Sequence, residues 1–142
     1  MKTIIIFLTV IFLCTNYAQN LKSKDIPPVV RDKFTSTYSK ATLVKWTKEK
    51  SGYEASFKKG STDMSVNIDE QGKIIETETG IKLSELPVEV RESVAKDYSK
   101  YKITECAKIE TKGIITYEVE VKGRKGKMDL IYDEHGVLNY IR

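Results

Sequence analysis

One stretch of this chain occurs twice, and a tandem repeat constrains a fold more than any other feature of a sequence. YEASFKKGSTDMSVNIDEQGKI, from Tyr53 to Ile74, is matched by YEVEVKGRKGKMDLIYDEHGVL, from Tyr117 to Leu138, at an offset of 64. Upstream, IPPVVRDKFTSTYSK (Ile26 to Lys40) is matched by LPVEVRESVAKDYSK (Leu86 to Lys100) at an offset of 60. Four extra residues near Thr111 to Thr116 make up the difference.

Within each copy the local pattern predicts one helix followed by four strands. Pro27 and Pro28 open the first helix, where a missing N–H costs nothing, and Val30, Phe34 and Tyr38 form its apolar stripe. In the second copy Ser84 is the expected N-cap, and Val90, Val94 and Tyr98 repeat the stripe. First strands are expected near Thr42–Lys48 and Lys102–Ile109. There the copies disagree about the inward face: Val44 and Trp46 favour one phase, Ile103, Ala107 and Ile109 the other. Trp46 is therefore open to either a core or a surface role. The next strands alternate with period two, Tyr53, Ala55 and Phe57 against Tyr117, Val119 and Val121, which predicts one packed and one wet face. Asp69 to Gly72 and Asp133 to Gly136 make return turns, with glycine supplying a positive φ. Either copy alone has a small core and an exposed edge. Side by side they predict an α+β fold: one sheet of about eight antiparallel strands, with both helices on the same face.

Residues 1–19 are read as a secretory signal peptide. Lys2 precedes an apolar run from Ile4 to Leu13, broken only by Thr9, and Ala18 suits a cleavage site. The run is too short for the roughly 20 residues of a spanning helix. Lipidation at Cys14 is not expected, because bulky Leu13 precedes it. The mature protein then begins between Gln19 and Leu21, with repeat 1 over residues 20–79 and repeat 2 over 80–142, joined as one compact unit. Its localisation is expected to be periplasmic or secreted, with no membrane contact after cleavage.

Charge excludes one large class. Residues 19–79 carry 11 basic and 9 acidic side chains, and residues 80–142 carry 12 and 11. Such a balance provides no field for gripping nucleic acid. Cys106 is the one cysteine left beyond the leader, so stability rests on the core and not on a disulfide. It aligns with Trp46 and reads as a small buried residue.

The pattern resembles the bacterial PepSY-like family described as beta-lactamase-inhibitor-like. The resemblance rests on Ile26-Pro27 and Leu86-Pro87, Tyr38 and Tyr98, Gly52-Tyr53-Glu54, and the two Asp-x-x-Gly turns. In the second copy Gly113 is separated from Tyr117-Glu118. The resemblance implies a tandem α+β arrangement in an exported, non-catalytic protein. Lactamase inhibitors themselves bind through a concave sheet surface and carry disulfides, which this chain lacks.

Catalytic chemistry is not expected. His135 is the single histidine and falls in a turn, with Gln71 in its place in the other copy. No second histidine exists for a transition-metal site, and no loop supplies the six oxygens of a calcium site. No carboxylate is expected in an apolar setting that would raise its pKa. No cofactor is expected. The best polar constellation is the pair of basic hairpin tips: Lys58 and Lys59 on one, Lys122, Arg124, Lys125 and Lys127 on the other. The outer sheet face is expected to carry Glu54, Ser56, Lys58, Ser65, Asn67, Glu118, Glu120, Lys122, Asp129 and Ile131. Two functions fit: a binding or inhibitory module for a protein of the cell envelope, using the tips and Trp46, or a periplasmic module holding a small or polymeric anion at the tips.

Overall fold

The computed structural model describes residues 20–142, so the signal-peptide reading lies outside the described residues. Nine strands form one sheet whose spatial order follows the chain, each pairing antiparallel with the next. A two-residue strand, β1 (Asn20–Leu21), precedes helix α1 (Pro28–Thr37). Strands β2 (Ala41–Glu49), β3 (Gly52–Lys59), β4 (Thr62–Ile68) and β5 (Ile74–Gly80) complete the first repeat. The second runs α2 (Val88–Asp97), β6 (Lys102–Thr111), β7 (Ile114–Gly123), β8 (Gly126–Tyr132) and β9 (Leu138–Ile141). The eight expected strands are thus present, and β1 is an addition that covers part of the outer edge of β2.

Both helices lie on one sheet face. Val30 and Phe34 of α1 are buried with Trp46, Ala55, Phe57, Val66 and Ile68. Val90 and Val94 of α2 are buried with Cys106, Val119, Val121, Leu130 and Tyr132. Trp46 is a core residue, packing edge-on against Phe34 with ring centroids 5.1 Å apart. Its ring is consequently not available to a partner, which corrects its place among the candidate contacts. Cys106 fills the matching position beneath α2, where burial pushes its thiol pKa up and disfavours the nucleophilic thiolate.

The disputed phase of the first strand has a simple origin. Ladder shifts between Thr42 and Lys45, and between Ile103 and Glu105, break the alternation. Beyond its shift, β6 turns Cys106, Lys108 and Glu110 to the helix side, whereas Ala107 and Ile109 are buried on the opposite side.

Local chemistry closes the elements. The Asp69 carboxylate accepts N–H bonds from Gln71 and Lys73, and Asp133 does the same for His135 and Val137. Gly72 and Gly136 follow at φ +82 and +76. Ser84 does not cap α2. It sits in a short 3-10 turn, Leu83–Glu85, and Pro87 takes the cap position without a side-chain bond. The four extra residues lengthen the β6–β7 hairpin, which turns at Lys112 and Gly113, both with positive φ.

Candidate functional site

The outer sheet face, away from both helices, is built by register. One row across it runs Glu54, Asn67, Glu76 and Thr111. A second runs Ser56, Ser65, Glu78 and Ile109. A third runs Gly80, Ala107, Glu118, Ile131 and Tyr140. The residues expected on this face lie there on both repeats, and the polar surface is interrupted by Ala107 and Ile109 of β6 together with Ile131 of β8. Ala107, Ile109 and Ile131 are all buried there, Ile131 at 0 % exposure.

This apolar floor changes the carboxylates beside it, which corrects the expectation that none would be raised. Burial, followed by the negative charge of Glu118, lifts Glu78 to about 7. Burial likewise raises Glu118, which lies between Ala107 and Ile131, and Glu54. Arg142, just beyond β9, opposes all three shifts and pairs with Glu118. The face is curled into a hollow, since residues from β2 to β7 line one cleft. A cleft of about 510 Å³ opens on this face, lined from both repeats by Lys45, Ser56, Ser65, Glu78, Ala107 and Glu118 among others.

The basic tips stand at one end of the sheet. The β3–β4 and β7–β8 hairpins point the same way, four strand spacings apart, or roughly 19 Å measured along the sheet. They do not form a single patch. Lys58 is tied to Asp63 and Lys127 to Glu120, each at 2.8 Å, and Thr104 also bonds Glu120. Lys59, Lys122, Arg124 and Lys125 make no ion pair among the described residues. His135 is exposed in the β8–β9 turn, beyond the end of the strand that carries Ile131. No group of three metal-ligating side chains among the described residues is placed to hold an ion, and no helix there is long and apolar enough to cross a membrane.

Sequence reasoning missed Glu78 and Arg142. The signal that points to them is the second apolar phase, Ala107, Ile109 and Ile131, which marks a buried patch on the face otherwise written as polar.

Residues 13–76 and 75–139 each match the family described as "Putative beta-lactamase-inhibitor-like, PepSY-like". Among solved structures, a DUF2874 family protein from Bacteroides uniformis is 23% identical, with TM-score 0.73 over 82% of this chain and 88% of its own. A structure from Bacteroides eggerthii described as "putative periplasmic proteins" is 17% identical, with TM-score 0.75 over 82% and 88%. A BLIP-like protein from Bacteroides fragilis is 21% identical, with TM-score 0.66 over 82% and 85%. A comparison with curated proteins gives no match. At these identities the solved structures share the fold.

Proposed function

Because the chain belongs to the PepSY-like, beta-lactamase-inhibitor-like family through both of its repeats, we propose that it is a non-catalytic binding module of the cell envelope. Its outer sheet face engages a protein partner. The observation that carries this reading is the hollowed face itself: both helices pack on the other side, leaving a cleft that spans the two repeats. The BLIP-like relative supports a protein as the partner, and the relative described as periplasmic supports the compartment.

The tips supply the margin of the interface. Lys59, Lys122, Arg124 and Lys125 are free to meet acidic groups of the partner, whereas Lys58 and Lys127 first have to leave Asp63 and Glu120. Their internal pairing and their separation argue against the tips as a self-sufficient anion site. Acid–base catalysis has little support either. Glu78 is in a useful pKa range, but burial raises the pKa of the Cys106 thiol, which packs on the helix side, and His135 is exposed in a turn.

A photo-crosslinking residue placed at Lys45, on the outer face, or at Arg124, on the tip, tests this in the native envelope. One partner, identified by mass spectrometry at both positions and absent with the crosslinker at Glu92 of α2, is the expected result. Capture from Glu92 alone would overturn it. Changing Lys122, Arg124, Lys125 and Lys127 together to Ser is expected to weaken capture at least about tenfold, or ~1.4 kcal/mol, without altering thermal unfolding.

A further inference from the structure

The chain as a whole has a formal charge of +4, yet its outer sheet face is acidic. On that face Glu49, Glu54, Glu76, Glu78, Glu105 and Asp129 make no ion pair among the described residues. The corresponding unpaired cations are Lys45, Lys102 and Lys122. Of the cations at the hollow, Arg142 is engaged by Glu118 and Lys58 by Asp63, which leaves Lys45 at the cleft wall. We propose that the hollow seats a cationic segment of the partner protein, a lysine or arginine side chain entering between Glu54, Glu78 and Glu118. This rests on the reading that a protein docks on this face, and it specifies the chemistry of what docks.

Three features of the hollow fit such a side chain. Half-buried carboxylates attract an incoming cation more strongly than carboxylates in open water, because the surrounding dielectric is lower. Leu43, Met64 and Ala107 line the cleft and offer apolar surface to the aliphatic stem that carries the charge, with Ile109 and Ile131 buried beneath. An acidic segment is repelled from the centre and attracted to the tips, so the same pattern sets the orientation of the partner.

The arrangement also links binding to protons. The charged groups acting on Glu78 are Glu54 from β3, Glu76 on its own strand, Glu118 from β7 and Arg142 beyond β9. The adjoining strands β4 and β6 contribute uncharged Ser65 and Ile109. Glu78 titrates at about 7 in the free protein, so a cation that requires its ionised form binds more tightly as the pH rises through that value.

The test is a titration of the isotope-labelled mature protein with an end-capped peptide of alternating glycine and arginine, followed by amide chemical shifts. A matched glycine–glutamate peptide is the control. Shifts are expected at Glu54, Glu78, Ala107 and Glu118, with affinity about tenfold higher at pH 8 than at pH 6. The Glu54→Gln/Glu78→Gln double variant, shown to be folded by its unchanged spectrum elsewhere, is expected to lose those shifts. Equal binding by that variant overturns the proposal, as do shifts centred on the acidic turns at Asp69 and Asp133. Loss of the peptide response while crosslinking from Lys45 persists would remove the cationic chemistry and leave the docking face standing. A peptide response without any crosslink from Lys45 would instead remove the protein partner.

Discussion

Glu78 and Arg142 hold the same place in the two repeats, 64 residues apart, and carry opposite charges. Glu78 pairs across β4 with Ser65, and Arg142 exchanges backbone bonds with Asp129, the residue 64 positions beyond Ser65. The outer positions of the first repeat at Glu54 and Glu78 are thus both acidic, whereas the second repeat has the paired Glu118 and Arg142. The repeat has diverged in charge while keeping its register.

Glu78 makes stability depend on pH with a definite sign. Its folded-state value of about 7 lies above the ordinary 4.5, so between those values the folded chain holds a proton that the unfolded chain has released. Its contribution to stability is therefore present at low pH and is lost as the pH rises from about 4.5 through 7. Glu78→Gln is expected to raise the thermal midpoint at pH 8 and to leave it nearly unchanged at pH 4.5. Unfolding followed by circular dichroism across that range checks the slope.

Arg142→Ala removes the cation that offsets Glu118. Arg142 is only half buried, so the expected loss of stability is modest, roughly 0.5–1 kcal/mol. Glu118, left among Ala107 and Ile131 without its guanidinium, is expected to titrate higher than in the parent protein. Carbon-detected NMR of the side-chain carboxyl reads this directly, and amide exchange at Tyr140 is expected to quicken as β9 loosens.

Phe34 meets Trp46 and Phe57 edge-on, each with a centroid separation of 5.1 Å, and is 4% exposed. Phe34→Ala is expected to cost about 3–5 kcal/mol. His135→Gln, at an exposed turn whose twin already carries Gln71, is expected to change stability by less than about 0.5 kcal/mol. Denaturant unfolding of both variants checks the contrast.

Two glycines with positive φ separate backbone strain from crowding. A Cβ at Gly136 would lie 2.5 Å from the carbonyl oxygen of Glu89, while one at Gly60 meets nothing within 4 Å. Gly60→Ala is expected to cost about 1 kcal/mol through the backbone alone. Gly136→Ala is expected to cost at least about twice that, because the turn has to move away from α2. Equal midpoints for the two variants would contradict that packing.

Much of the architecture was legible because it depends on short-range patterns. The offsets of 64 and 60, the stripes through Phe34 and Val94, and the period of two through Tyr53 and Val119 specify helix, hairpins and a doubled sheet before any contact is seen. The stripes and the alternation depend only on neighbours within a few positions, and the offsets show that the same local pattern is written twice. A sequence also states that Asp69 and Asp133 begin turns, since the carboxylate bonds its own backbone two and four residues on.

The hollow is of another kind. Glu54, Glu78, Glu118 and Arg142 come from β3, β5, β7 and the end of the chain beyond β9, and no local pattern links them. Their proximity arises from curvature accumulated over many strand pairings, and the raised pKa of Glu78 arises from its burial beside Ile109 and from the charge of Glu118 two strands away. Trp46 and Ser84 illustrate the same division. A ladder shift decided which way the strand of Trp46 faces, and a 3-10 turn took Ser84 away from the cap it was expected to provide. Sequence alone determined which elements form and that they form twice. Tertiary structure decided which charges meet, because burial and Coulomb energies depend on distances in space and not on separations along the chain.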